Sequence, residues 1–165
     1  MIKAGMIGVI SDTHDNLEMV RRAVRLFNDA GCSLVVHAGD VVAPFTAREL
    51  NALNCPVRAV FGNCDGEKHG LVAAFQGKGE IQEPPLEFRH DGRSFLVHHL
   101  DRPALKCAES GAAEIVIFGH THKPLIEKRP GVLLVNPGEA GGWLYARGSV
   151  VLLDPEKLEA SLIYL

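Results

Sequence analysis

The sequence has no Cys-x-x-C pair, no basic stripe and no glycine-, serine- or proline-rich linker. It also has no apolar run long enough to span a membrane. Each absence closes off a class of protein. The four cysteines, Cys32, Cys55, Cys64 and Cys107, are not spaced as a zinc ribbon or a redox motif. A chain of 165 residues builds its own core, which argues against a disulfide framework. The formal charge of −3, with no cluster of Lys or Arg, argues against a nucleic-acid grip built on phosphate contacts. A small phosphate ester stays open, because bound metal ions can supply the positive charge that the side chains lack. The segment Met1 to Ile10 carries one Lys and a short apolar stretch that Asp12 soon ends. It is too short for a signal peptide or a membrane span, so a soluble, cytoplasmic protein with no membrane partner is expected. Length and the lack of a linker predict one domain, 1–165.

What is present begins with alternating strands and helices. Met6-Ile7-Gly8-Val9-Ile10 is a continuous apolar run, the mark of a strand buried on both faces. Asp15 or Asn16 then caps a helix whose Leu17, Val20, Val24 and Leu26-Phe27 recur at helical spacing, and Gly31 ends it. Ser33 to His37 is the second strand, Pro44 to Leu53 the second helix and Val57 to Phe61 the third strand. Such a βαβαβ run predicts a parallel sheet with right-handed crossovers. Glu67 to Glu83 reads as a short helix and a mobile loop. Beyond it, Leu86 to His90 and Arg93 to His98 flank the hairpin turn Asp91-Gly92, and Pro103 to Ser110 reads as a helix. Strands are expected at Glu114 to Phe118, Pro124 to Lys128, Val132 to Val135, Gly148 to Leu153 and Ala160 to Leu165. Two sheets face to face with helices outside would house them all.

The informative pattern is where the polar residues fall. Asp12-Thr13-His14, Gly39-Asp40, Gly62-Asn63-Cys64-Asp65, His98-His99 and Gly119-His120-Thr121-His122 each follow a predicted strand. In α/β sheets, ligands bind at the carboxyl ends of the strands, so the five clusters should converge on one edge. Taken singly, Asp-x-His is often a surface cap and Gly-Asp is usually a turn. Gly-His-Thr-His is the most specific, since paired histidines after a buried strand are costly without a use. The coincidence of all five carries the argument. Three carboxylates or amides and four histidines from these clusters make a mixed oxygen and nitrogen site. Seven ligands exceed one tetrahedral ion and suit two ions sharing a bridging carboxylate, for which Asp40 is the candidate.

With these motifs in view, the chain resembles the calcineurin-like metallophosphoesterases, most of all their small, single-domain phosphodiesterase branch in bacteria and archaea. The resemblance runs from about Ile7 to Asp154 and includes Asn136-Pro137-Gly138-Glu139. It implies an α/β fold, a four-layer αββα sandwich of two mixed sheets, and frequent homodimers. It also implies two divalent metal ions, manganese first, with nickel, iron or zinc as alternatives. One would be held by Asp12, His14, Asp40 and His122, the other by Asp40, Asn63, His98 and His120. The implied activity is hydrolysis of a phosphodiester by a metal-bridging hydroxide.

Two positions depart from the family pattern. Cys64 stands where many members have a histidine that protonates the leaving group, and a thiol of ordinary pKa is a poor substitute. His99 stands where glycine is usual. The family position makes His98 the expected ligand, with His99 facing either the substrate or the opposite side. Asn63, Cys64 and His99 are thus the expected substrate contacts. Asp65 either orients the Asn63 loop or is a plain turn residue. His37 either supports a ligand or sits in the core. Trp143 and Tyr145 line the pocket mouth, a dimer contact or ordinary packing. The competing functions are a phosphomonoesterase and a non-catalytic scaffold like the retromer subunit that shares this fold. The completeness of the ligand set argues against the scaffold.

Overall fold

The computed structural model describes residues 5–165; residues 1–4, the start of the segment weighed above as a signal peptide, lie outside the described residues. Strands β1 (Met6–Ile10), β2 (Cys32–His37) and β3 (Val57–Val60) pair in parallel, as the apolar runs predict. They are joined by α1 (Leu17–Asp29) and α2 (Pro44–Glu49). The Asn16 side chain caps α1 by accepting from the Met19 N–H. Asp15 instead accepts from the Ala43 N–H and Thr46 Oγ1 at the start of α2. The second helix is shorter than expected: it stops at Glu49 and a 3₁₀ turn carries the chain through Leu50–Ala52.

The segment read as a helix and mobile loop holds α3 (Lys68–Phe75) followed by β4 (Gly79–Gln82), a parallel edge strand beside β3. Only Ile81 of that strand is buried, so its sequence lacks an apolar run. Strands β10 (Ser149–Asp154) and β11 (Glu159–Tyr164) complete a six-stranded mixed sheet in the order β11-β10-β1-β2-β3-β4. The second sheet has five strands in the order β5-β6-β7-β9-β8. They are β5 (Leu86–His90), β6 (Arg93–Val97), β7 (Ile115–Ile117), β8 (Leu125–Arg129) and β9 (Val132–Asn136). Helix α4 (Asp101–Glu109) connects β6 to β7.

Three apolar seams bind four layers. Helices α1 to α3 pack on the outer face of the first sheet through Val20, Phe27, Leu50 and Leu71. The two sheets meet through Ile7, Val9, Val36 and Val151 on one side and Phe95, Val97, Ile117 and Val135 on the other. Helix α4 covers the far face of the second sheet, where Leu96, Val116 and Leu134 meet Ala104 and Ala108. This is the αββα sandwich of two mixed sheets that the sequence implies. Each fully buried Val, Leu or Ile contributes about 1.5–3 kcal/mol. The seam between the sheets therefore holds the two strand-end edges side by side.

Candidate metal centre

The loops after β1, β2 and β3 in one sheet and after β6, β7 and β9 in the other meet at a single edge. Backbone hydrogen bonds tie them together. Asp12 N–H donates to Gly39 O at 2.9 Å and His14 N–H to Asp40 O at 3.1 Å. Within the second sheet Gly119 N–H donates to His99 O at 3.0 Å, and across the sheets Ala140 N–H donates to Ser11 O at 2.9 Å. The glycines of the motifs are needed by close approach. A Cβ on Gly62 would lie 2.1 Å from Asp40 Oδ1, and one on Gly119 would lie 2.6 Å from Asp12 Oδ2. Five of the expected ligand residues, Asp12, His14, Asp40, His120 and His122, have positive φ between 40° and 66°. Such values are uncommon outside glycine and cluster where side chains are aimed for function.

Asp12 and Asp40 lie at the centre and are almost fully buried. Asp12 Oδ1 faces His122 Nε2 at 3.2 Å and His14 Nε2 at 3.6 Å. Asp40 Oδ2 faces His99 Nε2 at 3.3 Å and His14 Nε2 at 3.4 Å. Asn63 Oδ1 lies 2.9 Å from His99 Nε2 and 3.0 Å from His120 Nδ1.

His98 is a correction. The structure brings His99, not His98, into the cluster. His99 is buried, its Nδ1 bonded to Ala38 O at 2.8 Å and its Nε2 turned to Asp40 and Asn63. His98 accepts the Leu100 N–H on its Nδ1 and lies outside the cluster. Side chains of a strand alternate between faces. Phe95 and Val97 of β6 point into the seam between the sheets and Leu96 points at α4, so His99 continues the first set and His98 the second. Cys64, the other expected substrate contact, is exposed at the rim; its N–H donates to Asp40 Oδ1 at 2.8 Å.

Supporting residues emerge that the sequence reading gave no role. Glu139, buried after β9, holds His122 Nδ1 at 2.9 Å and accepts the Leu144 and Tyr145 N–H groups. Ser11 Oγ donates to Asp12 Oδ2 at 2.6 Å. The Asn-Pro-Gly-Glu segment was the available signal for Glu139; nothing in the sequence singles out Ser11. Asp65 accepts from the Asp40, Val42 and Gly62 N–H groups at 2.7–2.9 Å, so it does orient the Asn63 loop. His37 is fully buried, with Nε2 3.2 Å from Thr13 Oγ1 and Nδ1 accepting the Gly39 N–H.

Protonation follows from this geometry. Burial opposes ionisation of Asp12, but His122, His14 and Ser11 outweigh it and hold the carboxyl below its usual range. The Asp12 carboxylate, helped by Glu139 and opposed by burial, raises His122 to about 9. Burial works against charge on His99, yet the Asp40 carboxylate raises it. Burial lowers His37 to about 4, keeping it neutral. Burial and the Asp40 carboxylate raise the Cys64 thiol, so it stays protonated near neutral pH.

This donor set fits divalent cations. With Nδ1–H of His99 and His122 engaged by Ala38 O and Glu139, Nε2 of each faces a carboxylate oxygen, and its lone pair becomes available to a cation that displaces the proton there. Such an outer partner is what fixes the tautomer of a ligating histidine. Asp12 Oδ1 and His14 Nε2 are buried without a hydrogen-bond partner among the described residues. Buried polar atoms of native proteins are nearly always satisfied, and a cation between these atoms would satisfy both. Donor atoms of Asp12, His14 and His122, and of Asp12, Asp40 and His99, lie within 4.8 Å of one another.

The fold and this edge define a phosphoesterase class, and the comparisons agree. The model of the calcineurin-like phosphoesterase superfamily domain matches residues 6–158, and the chain belongs to that superfamily. Among its relatives, phosphodiesterase MJ0936 of Methanocaldococcus jannaschii is 37% identical over 93% of this chain and 95% of its own length. Phosphodiesterase YfcE of Escherichia coli K12 is 32% identical over 78% and 75%. A solved archaeal phosphodiesterase superposes with a TM-score of 0.91 at 36% identity, covering 97% of this chain and 99% of its own. Vps29 of Chaetomium thermophilum, at 16% identity and TM-score 0.72 over 98% of this chain and 96% of its own, is alike in fold alone.

Proposed function

We propose that this chain hydrolyses a small phosphodiester with two divalent cations, manganese being the first candidate and nickel, iron and zinc the alternatives. Asp12, His14, Asp40 and His122 would hold one; Asp40, Asn63, His99 and His120 would hold the other. The observation that carries this reading is the convergence of imidazole nitrogens from both sheets onto Asp12 and Asp40, with Asp12 Oδ1 and His14 Nε2 buried and unpartnered among the described residues.

When bound, the cations supply Lewis acidity to the phosphoryl oxygens and acidify water near neutral pH. The chain's own residues do the rest. Asp40, whose Oδ2 sits between His14 and His99, is shared by both positions. Glu139 and Ala38 O hold the protons on the outward nitrogens of His122 and His99, leaving the inward ones free. Asn63 contributes a neutral oxygen, so the site stays open to an anionic substrate. Cavities flank the centre on more than one side, among them one of about 650 Å³ beside His120 and Arg102 and one of about 410 Å³ beside His14 and His122. Room on both sides suits an ester with two arms. Cys64, a protonated rim thiol, supplies no strong acid, which favours leaving groups that depart without one.

The test is hydrolysis of an aryl phosphodiester and the matching monoester by metal-stripped protein, with and without manganese. Manganese-dependent turnover that prefers the diester and vanishes in Asp40→Ala is expected. Preference for the monoester would make the chain a phosphatase. No turnover with any divalent metal would favour a scaffold.

A further inference from the structure

The loop after Glu139 carries Trp143, Leu144 and Tyr145 in succession, respectively 62%, 68% and 52% exposed. Three large side chains side by side at a surface are unusual enough to ask what they meet. The loop is not loose. Trp143 Nε1–H donates to His14 O at 3.0 Å, and the Leu144 and Tyr145 N–H groups bind the same Glu139 carboxylate that holds His122. The residues that shape the metal edge therefore also fix the position of this apolar surface. Trp143 and Leu144 wall the 410 Å³ cavity whose other lining residues are His14 and His122. The His14 and His122 rings are themselves stacked, with centroids 5.1 Å apart. The cavity opens onto the proposed reaction centre and offers flat, apolar surface with few polar partners.

We infer that Trp143 and Leu144 form a platform for one arm of the substrate, and that this arm ends in a planar aromatic ring. The inference rests on the phosphodiesterase reading and names its substrate class: phosphodiesters bearing a nucleobase or a simple aryl group. Indole stacks on any ring with a π-face, and nothing in the cavity reads the polar edge of a base, so the platform is tolerant of base identity. A second copy of this chain is the competing occupant.

Trp143 is the sole tryptophan of the sequence, so its fluorescence reports on the platform alone. The experiment titrates manganese-loaded protein with inorganic phosphate, methyl phosphate, phenyl phosphate and adenosine monophosphate, by calorimetry and by fluorescence. A stacked ring should bind at least about fivefold more tightly than phosphate and shift the emission of Trp143, since base–aromatic stacking is worth about 1–3 kcal/mol. In Trp143→Ala the ratio of phenyl phosphate to phosphate affinity should fall toward one. Trp143→Phe keeps a ring but loses the donor to His14 O, so it should retain most of the ratio; this separates stacking from support of His14. A preference for phenyl phosphate alone, or for the nucleotide as well, identifies the source of the ring. Equal affinity for phosphate and the ring-bearing ligands overturns the platform and leaves the phosphodiesterase reading standing. No binding of any of the four, with no diester turnover, overturns both. A dimer that Trp143→Ala dissociates, with the affinity ratio unchanged, assigns the surface to the second copy instead.

Discussion

The two sheets do not contribute alike to the shared edge. The first delivers the oxygens, Asp12, Asp40 and Asn63, with one imidazole, His14. The second delivers three imidazoles, His99, His120 and His122, and the carboxylate of Glu139 behind them. Neither edge alone gathers the full set of donors, although His14, Asp40 and Cys64 of the first already lie within ligating reach of one another. The oxygen side without histidines is a pair of buried carboxylates that repel each other. The histidine side without carboxylates has no anionic partner. The seam of Ile7, Val9 and Val36 against Phe95, Val97 and Ile117 therefore creates the site as well as stabilising the fold. Chemistry of this kind depends on the packing of layers far apart in sequence.

The division can be tested from its most sensitive point outward. On the oxygen side, Asp40→Ala removes the one carboxylate that both proposed cation positions would share and should abolish turnover and manganese retention together, read by metal analysis of the purified variant. On the histidine side, His99→Ala should lose one of the two cations while His98→Ala keeps both; the reverse pattern would restore His98 as the ligand. Behind the ligands, Glu139→Gln leaves a hydrogen-bonding group but removes the charge that holds His122. Manganese affinity should fall roughly 10- to 100-fold, as is usual for such outer partners.

The smallest effect concerns His37, beneath the oxygen side. Its pKa is about 4 in the folded protein against 6.5 when exposed. The unfolded chain thus takes up a proton that the folded chain refuses. The stability this reflects is complete above pH 6.5 and is lost as pH falls toward 4, at up to about 1.4 kcal/mol per pH unit. Denaturation of metal-free protein should show His37→Gln losing less stability than the parent over that window. An identical slope would mean that His37 is not held neutral.

Much of this was legible in the residues. Continuous apolar runs marked β1 to β3, and polar clusters at their ends marked the edge, because buried strands tolerate such residues only where the chain leaves the sheet. The exchange of His98 for His99 was also readable. The alternation Phe95-Leu96-Val97 has a period of two, and carrying it forward two residues from Val97 reaches His99. The family position outweighed that parity. Strand β4 was hidden because an edge strand with a single buried residue has no pattern to show. Glu139 was seen as part of a motif, but its contact with His122 joins residues that only the sheet seam brings together.

The left-handed backbone at Asp12, His14, Asp40, His120 and His122 has a cost of its own. Holding five non-glycine residues in this conformation costs free energy that the packing around the edge must offset. Any ion that binds the folded form and not the unfolded one raises stability in proportion to the logarithm of its concentration. The lifetime of the protein would then track the metal supply around it. Under metal starvation that contribution would vanish, and the folded population would shrink along with the supply of the ion.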